Sequence, residues 1–340
     1  MSGLGDVVHG LPVINAIKDR YPETHITWVA EPMPAEILAN HSSIDRVVVF
    51  NRKDGVAGFR RLTSELRKGP RPDITLNFNV YLKSAWPTLI TRSPRRLGFD
   101  RRRSFDGVSL ASNEHLPNKP WAHTADMFLE FADYLDATPR NPEWRIAFSD
   151  EERAAQAAFF SRFSGQAVAT VIPASASVKK DWLPERWAEV VDALESQFGF
   201  KVVVAGGPGA REQGIAKEIV ERSSASIEWA MGDSVRRLAW IVAGSSVVVA
   251  PDTGPVHIAR ALEVPVVGIY GHTNPWRVGP WRAFSDLWVD HYTEPSAVAD
   301  SSNRTPRWQV MQTIRSDEVI ERIGVAISKY GAAQIRELAL

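Results

Sequence analysis

The sequence contains no cysteine, which excludes disulfides, thiolate metal sites and cysteine nucleophiles. It has no formal net charge, with 40 Lys and Arg against 40 Asp and Glu, and this argues against a dedicated nucleic-acid binder. No apolar run approaches the roughly 20 residues needed to span a bilayer. The first ten residues are glycine-rich and include an acid and a histidine, unlike a signal peptide. These absences imply a cytoplasmic protein that can touch a membrane surface. Neither HExxH, nor GxSxG, nor a metal-spaced His/Asp cluster is present, so the expected site needs no metal and no cofactor.

What is present is ordinary for a globular protein: 44% hydrophobic and 24% charged residues over 340 positions, a length that favours two domains. Twelve tryptophans are many for this length, and they suit either core packing or sugar stacking.

The chain is organised around residues 247–273, VVVAPDTGPVHIARALEVPVVGIYGHT. The apolar run Val247–Ala250 reads as a buried strand, Pro251-Asp252-Thr253-Gly254 as a turn, Pro255–Leu262 as a helix and Pro265–Tyr270 as a second strand. Strand, helix and strand form a βαβ unit, so the sheet should be parallel. Pro255 suits a first helical turn, and Asp252 or Thr253 can cap it. Gly254 permits close approach of a ligand to the backbone, and the helix N-terminus then offers an anion site. His257 falls in the first turn and can face the same ligand. A capped helix beside a core strand explains the same residues equally well.

The rest of the chain alternates strands and helices in two series. The first runs through helix Val7–Arg20, strands at Ile26–Ala30, Val47–Phe50, Asp73–Phe78 and Arg95–Asp100, and helices at Pro34–Asn40, Phe59–Lys68, Leu82–Thr91 and His123–Leu135. Residues 141–145, NPEWR, read as a linker between domains. The second series begins with helix Asp150–Phe163 and strand Ala167–Ile172 and ends with helix Ser316–Tyr330. Residues between about Asp290 and Ser316 read as irregular. The repeated alternation predicts two doubly wound domains facing a cleft.

Several residues can carry chemistry. Asp6 sits in the turn MSGLGD before the first helix, where a helix N-terminus keeps a carboxylate ionised and able to accept a proton. A plain N-cap explains it as well. His9 follows on the same face and can orient Asp6, although a packed histidine is the plainer account. Lys179 and Lys180, in a Ser-rich loop after a strand, suit phosphate. Gly206–Gly209 forms half of a dinucleotide fingerprint, with Glu212 where a third small residue belongs and Glu228 as a ribose acid at the next strand end. Glu212 could equally bind ribose itself. The run Arg101–Arg103 is either a solvated loop or a contact for an anionic acceptor. A turn like MSGLGD normally follows a strand, so either a first strand is missing or the domain does without it.

Taken together, these motifs resemble glycosyltransferase family 9, the ADP-heptose:lipopolysaccharide heptosyltransferases. The N-terminal mark is Ser2-Gly3-Leu4-Gly5-Asp6 with Pro12, similar to S-x-x-G-D-x-x-x-x-x-P. The C-terminal mark is Asp252-Thr253-Gly254, His257 and Ala261-Leu262, followed by Tyr270-Gly271-His272-Thr273. Lys180-Asp181-Trp182-Leu183-Pro184 with Trp187 is similar to K-x-W-P-x-x-x-W with one extra residue, and Leu82-Lys83-Ser84-Ala85 and Gly98-Phe99-Asp100 also match. Asn77 and Asn79 stand where an Asp and a Gln are common, and the strand before the S-x-x-G-D turn is absent.

The resemblance implies an α/β GT-B fold of two Rossmann-like domains: residues 1–145 for the acceptor, 146–315 for the nucleotide-sugar donor, and a C-terminal helix in 316–340 packing back on the first domain. It implies an inverting, metal-independent transfer of heptose from an ADP-sugar donor to an anionic lipid A–Kdo acceptor, by a cytoplasmic protein peripheral to the inner membrane. Asp6 would be the general base. Lys180 and the backbone of Thr253-Gly254 would hold the diphosphate, Glu212 the ribose and Asp252 the donor sugar or its site, with His257 supporting the loop. Arg60, Arg61, Lys83 and Arg101 would contact the acceptor. A dinucleotide-dependent oxidoreductase using Gly206–Glu228 and a non-catalytic nucleotide-sugar-binding protein are the alternatives.

Overall fold

The computed structural model describes residues 3–232 and 234–332. The chain divides into two compact units, Met1–Ala147 and Phe148–Leu340.

The first unit comprises α1 (Leu4–Arg20), β1 (Thr27–Ala30), α2 (Pro32–Ala35), β2 (Arg46–Val49), α3 (Gly55–Arg67), β3 (Ile74–Asn77), α4 (Ala85–Ile90), β4 (Arg95–Gly98), β5 (Glu114–His115) and α5 (Thr124–Tyr134). Its strands form two separate parallel sheets, β1-β2 and β3-β4-β5. Val13, Ala16 and Ile17 of α1 meet Met127, Phe128 and Phe131 of α5 in one apolar cluster, completed by Leu97 of β4 and Phe99 just after it. These are the i, i+3, i+4 positions that give a helix one apolar face.

Two expectations change here. The helix expected from Val7 starts at Leu4, which places Asp6 inside its first turn rather than in a turn ahead of it. The first four N–H groups of a helix lack intrahelical partners, and the Asp6 carboxylate bends back to accept one bond from the Gly3 N–H at 3.2 Å. Residues 141–145 are not a loose linker. Asn15 Nδ2 donates to the Glu143 carbonyl at 2.6 Å, His41 Nε2 lies 2.9 Å from the Trp144 carbonyl oxygen, and Arg145 pairs with Asp19 at 2.7 Å. Trp144 is buried, so this stretch is fastened to the first unit.

The second unit contains α6 (Asp150–Ser161), β6 (Val168–Val171), α7 (Pro184–Ser196), β7 (Lys201–Gly206), α8 (Ala210–Arg222), β8 (Ile227–Met231), α9 (Val235–Gly244), β9 (Val247–Pro251), α10 (Gly254–Ala261), β10 (Val266–Tyr270), α11 (Pro275–Val278), β11 (Trp288–Asp290) and α12 (Ser316–Tyr330). All six strands are parallel, in the order β11-β10-β9-β6-β7-β8. Every residue of β6, β9 and β10 is buried, which is why these strands read as unbroken β-branched runs: helices cover both faces. At the start of α6, Ser149 N–H donates to Glu152 Oε2 at 2.8 Å and Glu152 N–H to Ser149 Oγ at 3.3 Å, a reciprocal cap. The last helix, α12, packs on α7 and β10. Trp182 Nε1 on the α7 approach donates to the Ile314 carbonyl at 3.1 Å, and Arg186 donates to the same oxygen. No helix among the described residues is long and apolar enough to cross a membrane.

Candidate active site

At the carboxyl end of the second sheet, the turn after β9 carries Asp252. Its carboxylate is buried and accepts from Lys180 Nζ at 2.7 Å and from Thr273 Oγ1 at 2.7 Å. Lys180 Nζ also donates to the Asp252 carbonyl at 3.3 Å. Three stretches far apart in sequence therefore meet: the loop after β6, the turn after β9 and the loop after β10. Parallel strands deliver all three to one edge, the usual place for ligands in open α/β sheets. Burial works against ionisation of Asp252, but the charge and hydrogen bond of Lys180, with His257 and Thr273 assisting, hold the carboxyl below its ordinary range.

A depressed carboxyl pKa stabilises the fold above the unfolded-state value, and that contribution disappears as pH falls through the folded-state value. The Asp252→Asn variant should therefore be less stable than the native chain at pH 7, with the gap closing below about pH 4. Urea midpoints at pH 7 and pH 3.5 check this, and a gap of constant size would rule out a contribution from ionisation.

The turn leads into α10. Thr253 is its N-cap residue and Pro255 lies in its first turn, yet no side chain caps the helix. The expected capping by Asp252 or Thr253 is thus corrected: the Asp252 carboxylate is committed to Lys180 and Thr273, and Val256 N–H bonds to the Thr253 carbonyl at 3.1 Å. His257 is buried in the first turns of α10, close enough to bear on the charge of Asp252.

Beside this knot, Glu212 in the first turn of α8 folds back over the glycine loop. Its Oε2 accepts from Gly207 N–H at 2.9 Å. A Cβ on Gly207 would meet that oxygen at 2.6 Å, so glycine leaves room for the carboxylate. Glu228 does not belong here. It pairs with Val203 in the β7–β8 register, whereas Gly206 pairs with Met231, and it bonds Arg162 at 2.9 Å. That sets Glu228 at the amino end of β8, away from the glycine loop, and removes the ribose acid of a dinucleotide fingerprint.

In the first unit, Asp6 is half-buried at the start of α1 and His9 is buried, with its ring edge-on to His123 at 5.4 Å. The expected acceptor residues divide. Arg60 and Arg101 are exposed, Arg61 pairs with Asp54 at 3.0 Å, and Lys83 Nζ lies 5.9 Å from the Tyr81 ring centre. The basic run 101–103 is not one solvated patch, because Arg103 is buried against Asp100 and Glu130 at 2.6 and 2.7 Å.

Sequence reasoning missed four side chains. Thr273 appeared only as part of a motif. Asp181 and Arg211 form an ion pair beside the Lys180 loop; burial raises the Asp181 pKa and Arg211 opposes this. Trp308 is 62% exposed and packs by Lys179 (4.1 Å) and His272 (5.5 Å), which puts an open aromatic face next to the knot. A tryptophan in the polar stretch Thr305-Pro306-Arg307-Trp308 was the available signal.

Residues 59–304 match the profile of glycosyltransferase family 9 (heptosyltransferase). The lipopolysaccharide core heptosyltransferase OpsX of Haemophilus influenzae is 30% identical over 301 residues, covering 86% of this chain and 83% of that protein. Lipopolysaccharide heptosyltransferase 1 of Escherichia coli is 25% identical over 295 residues, covering 82% and 88%. Among solved structures, the family 9 glycosyltransferase of Veillonella parvula superposes with a TM-score of 0.82 at 22% identity, covering 96% and 95% of the two chains. The E. coli heptosyltransferase WaaC with ADP gives 0.73 at 20% identity, covering 96% and 98%, so the GT-B architecture is shared. Matched over most of its length, with parallel α/β units of the same fold, the chain belongs to glycosyltransferase family 9, the heptosyltransferases.

Proposed function

We propose that this glycosyltransferase moves heptose from ADP-heptose to the Kdo or heptose inner core of lipopolysaccharide, with inversion and without a metal. The observation that carries the reading is the Lys180–Asp252–Thr273 knot at the uncapped start of α10, in a chain whose relatives are lipopolysaccharide heptosyltransferases. A lysine ammonium has three N–H donors. Two serve Asp252, and the third is directed to a diphosphate oxygen alongside the Thr253-Gly254 backbone. Asp252 orients Lys180 and does not itself touch phosphate, since like charges repel. His257 supports the same turn. Glu212 exchanges its Gly207 bond for the ribose hydroxyls.

Asp6 accepts the proton from the acceptor hydroxyl as that oxygen attacks the anomeric carbon. The bond from that carbon to the diphosphate oxygen breaks, and ADP leaves with its developing charge held by Lys180 and the α10 N-terminus. The acceptor is anionic. Arg60, Arg61, Lys83 and Arg101 supply positive charge on the first unit, and exposed Val56 and Trp86 beside Arg60 support peripheral contact with an anionic membrane.

The test is ADP release from ADP-heptose with a lipid A–Kdo acceptor, set against UDP- and GDP-sugars. Release from another nucleotide sugar alone would overturn the donor assignment. Turnover should survive EDTA, and loss restored by Mg²⁺ would put a metal in the mechanism. Lys180→Met should weaken ADP binding roughly tenfold or more, as expected for one charge-assisted bond of about 1.5–3 kcal/mol. Unchanged affinity by calorimetry would remove Lys180 from the diphosphate.

A further inference from the structure

The stretch between β11 and α12 holds one short 3-10 turn and no strand, yet it is fastened to the loop after β10. The Arg307 N–H donates to the His272 carbonyl at 3.0 Å, and His272 Nδ1 lies 2.7 Å from the Arg307 carbonyl oxygen. Asn274 Nδ2 donates to the carbonyls of Asp300 and Asn303 at 2.7 and 2.9 Å, and the Tyr292 hydroxyl donates to the Thr305 carbonyl at 2.8 Å. Gly271 permits this approach, because a Cβ there would meet the Met311 nitrogen at 2.7 Å. The residue after this double clasp is Trp308. Lys179 Nζ lies over its ring at 4.1 Å, and the His272 ring stands 5.5 Å away at 72° to it. The indole is nonetheless 62% exposed. A large aromatic side chain on a fixed backbone, open to solvent, loses little further freedom when a ligand covers it.

The strand order says which part of a ligand reaches this ring. The carboxyl ends of β7, β6, β9 and β10 lie side by side in that order. The glycine loop leading to Glu212 follows β7, the Lys180 loop follows β6, the Asp252 turn follows β9 and the His272-Thr273 loop follows β10. Three strand spacings of about 4.8 Å make roughly 14 Å from the first of these to the last. That is about the reach of a ribose, two phosphates and a pyranose ring placed end to end. A donor with its ribose at Glu212 and its diphosphate at Lys180 and the Thr253-Gly254 backbone therefore delivers its sugar to the β10 side, where Trp308 stands. Trp308 is tied to the knot through both flanks: Lys179 precedes Lys180, and His272 precedes Thr273, which bonds Asp252 at 2.7 Å.

We propose that Trp308 is a specificity-determining residue that stacks on the pyranose ring of the donor sugar. The proposal rests on the nucleotide-sugar reading given above. The face of an indole is the negative part of its quadrupole, so it repels phosphate and carboxylate and attracts the weakly positive C–H groups on one side of a sugar ring. Lys179 reinforces the choice: its ammonium is engaged with the indole by a cation–π contact, which holds the ring in place. Trp308 thus separates a nucleotide that carries a sugar from the bare nucleotide, a distinction that the groups holding ribose and diphosphate cannot make. The high tryptophan content acquires one functional member by this assignment.

The experiment compares the native chain with Trp308→Ala and Trp308→Phe. Calorimetry gives the Kd of ADP and of ADP-heptose, and ADP release with a lipid A–Kdo acceptor gives KM and kcat. Trp308→Ala should raise the Kd and KM for ADP-heptose about tenfold, with the Kd of ADP unchanged. Because a stacked sugar is held alike in the ground and transition states, kcat should stay near the native value. Trp308→Phe should recover most of the lost affinity. Equal weakening of ADP and ADP-heptose would overturn the proposal by assigning the ring to the nucleotide or to the shape of the loop. Unchanged affinity for both, or no recovery with phenylalanine, would overturn it as well. A native chain that prefers another nucleotide sugar would end the ADP-heptose assignment and leave this test standing: Trp308→Ala must then weaken that nucleotide sugar and spare its nucleotide.

Discussion

Replacing Asp6 by Asn is expected to cut turnover by roughly 10²–10⁴ while leaving ADP affinity unchanged. The substitution isolates basicity from structure. Asp6 is in the first turn of α1 and accepts from the Gly3 N–H at 3.2 Å. The Asn amide oxygen can accept the same bond, so the helix start survives, although some of the roughly 0.3–1 kcal/mol favouring a negative charge at a helix N-terminus is lost. What disappears is the only group proposed to take the proton from the acceptor hydroxyl. ADP release by the variant, together with calorimetric ADP binding, separates the two effects. Normal turnover would assign the base to another residue, and a matching loss of ADP affinity would mean that the change had spread beyond the proton acceptor.

The largest stability effect is expected from Arg103→Met, which should cost the first unit about 3–5 kcal/mol. The Arg103 side chain is 1% exposed. Its guanidinium bonds Asp100 at 2.6 Å, Glu130 at 2.7 and 2.9 Å and the Pro117 carbonyl at 3.0 Å, and it lies 5.2 Å from the Phe99 ring centre. Methionine keeps much of the volume but leaves two nearly buried carboxylates facing each other, and the half-exposed Lys119 ammonium, 4.0 Å from Glu130, is a poor substitute for the buried guanidinium. Adding Asp100→Asn and Glu130→Gln should return a large part of the loss, because the cost comes from uncompensated charge rather than from a void. Denaturant unfolding of the single and triple variants decides. A loss under about 1 kcal/mol, or no recovery in the triple variant, would show that the pairs are not what holds this region.

The same arginine shows what a linear reading can and cannot see. Three consecutive arginines look like a solvated run, and nothing local reveals that Glu130, from α5, neutralises the third. Asp252 is similar: the sequence offers it as a cap, and only the meeting of three loops diverts it to Lys180 and Thr273. Glu228 was misplaced because a strand end cannot be told from a strand start without the register. The second sheet was legible because β6, β7, β9 and β10 are apolar runs rich in valine and isoleucine, covered on both faces. The strands overlooked were β5, two residues including a charged one, and β11, three residues ending in Asp290, both too short to show a pattern. The family motifs carried the functional reading because they mark the turns that the parallel strands bring to one edge.

The seating of α12 bears on how the polypeptide matures. The helix rests on α7 and β10, and the Ile314 carbonyl just ahead of it receives both Trp182 and Arg186. Residues 184–196 therefore wait for a partner that begins at Ser316, about 120 residues further along the chain (316 − 196). At ribosomal speeds of about 5–20 residues per second, that delay is on the order of ten seconds. Throughout it the α7 flank of the nascent second unit stays uncovered, while the first unit, which ends at Ala147, has already left the exit tunnel.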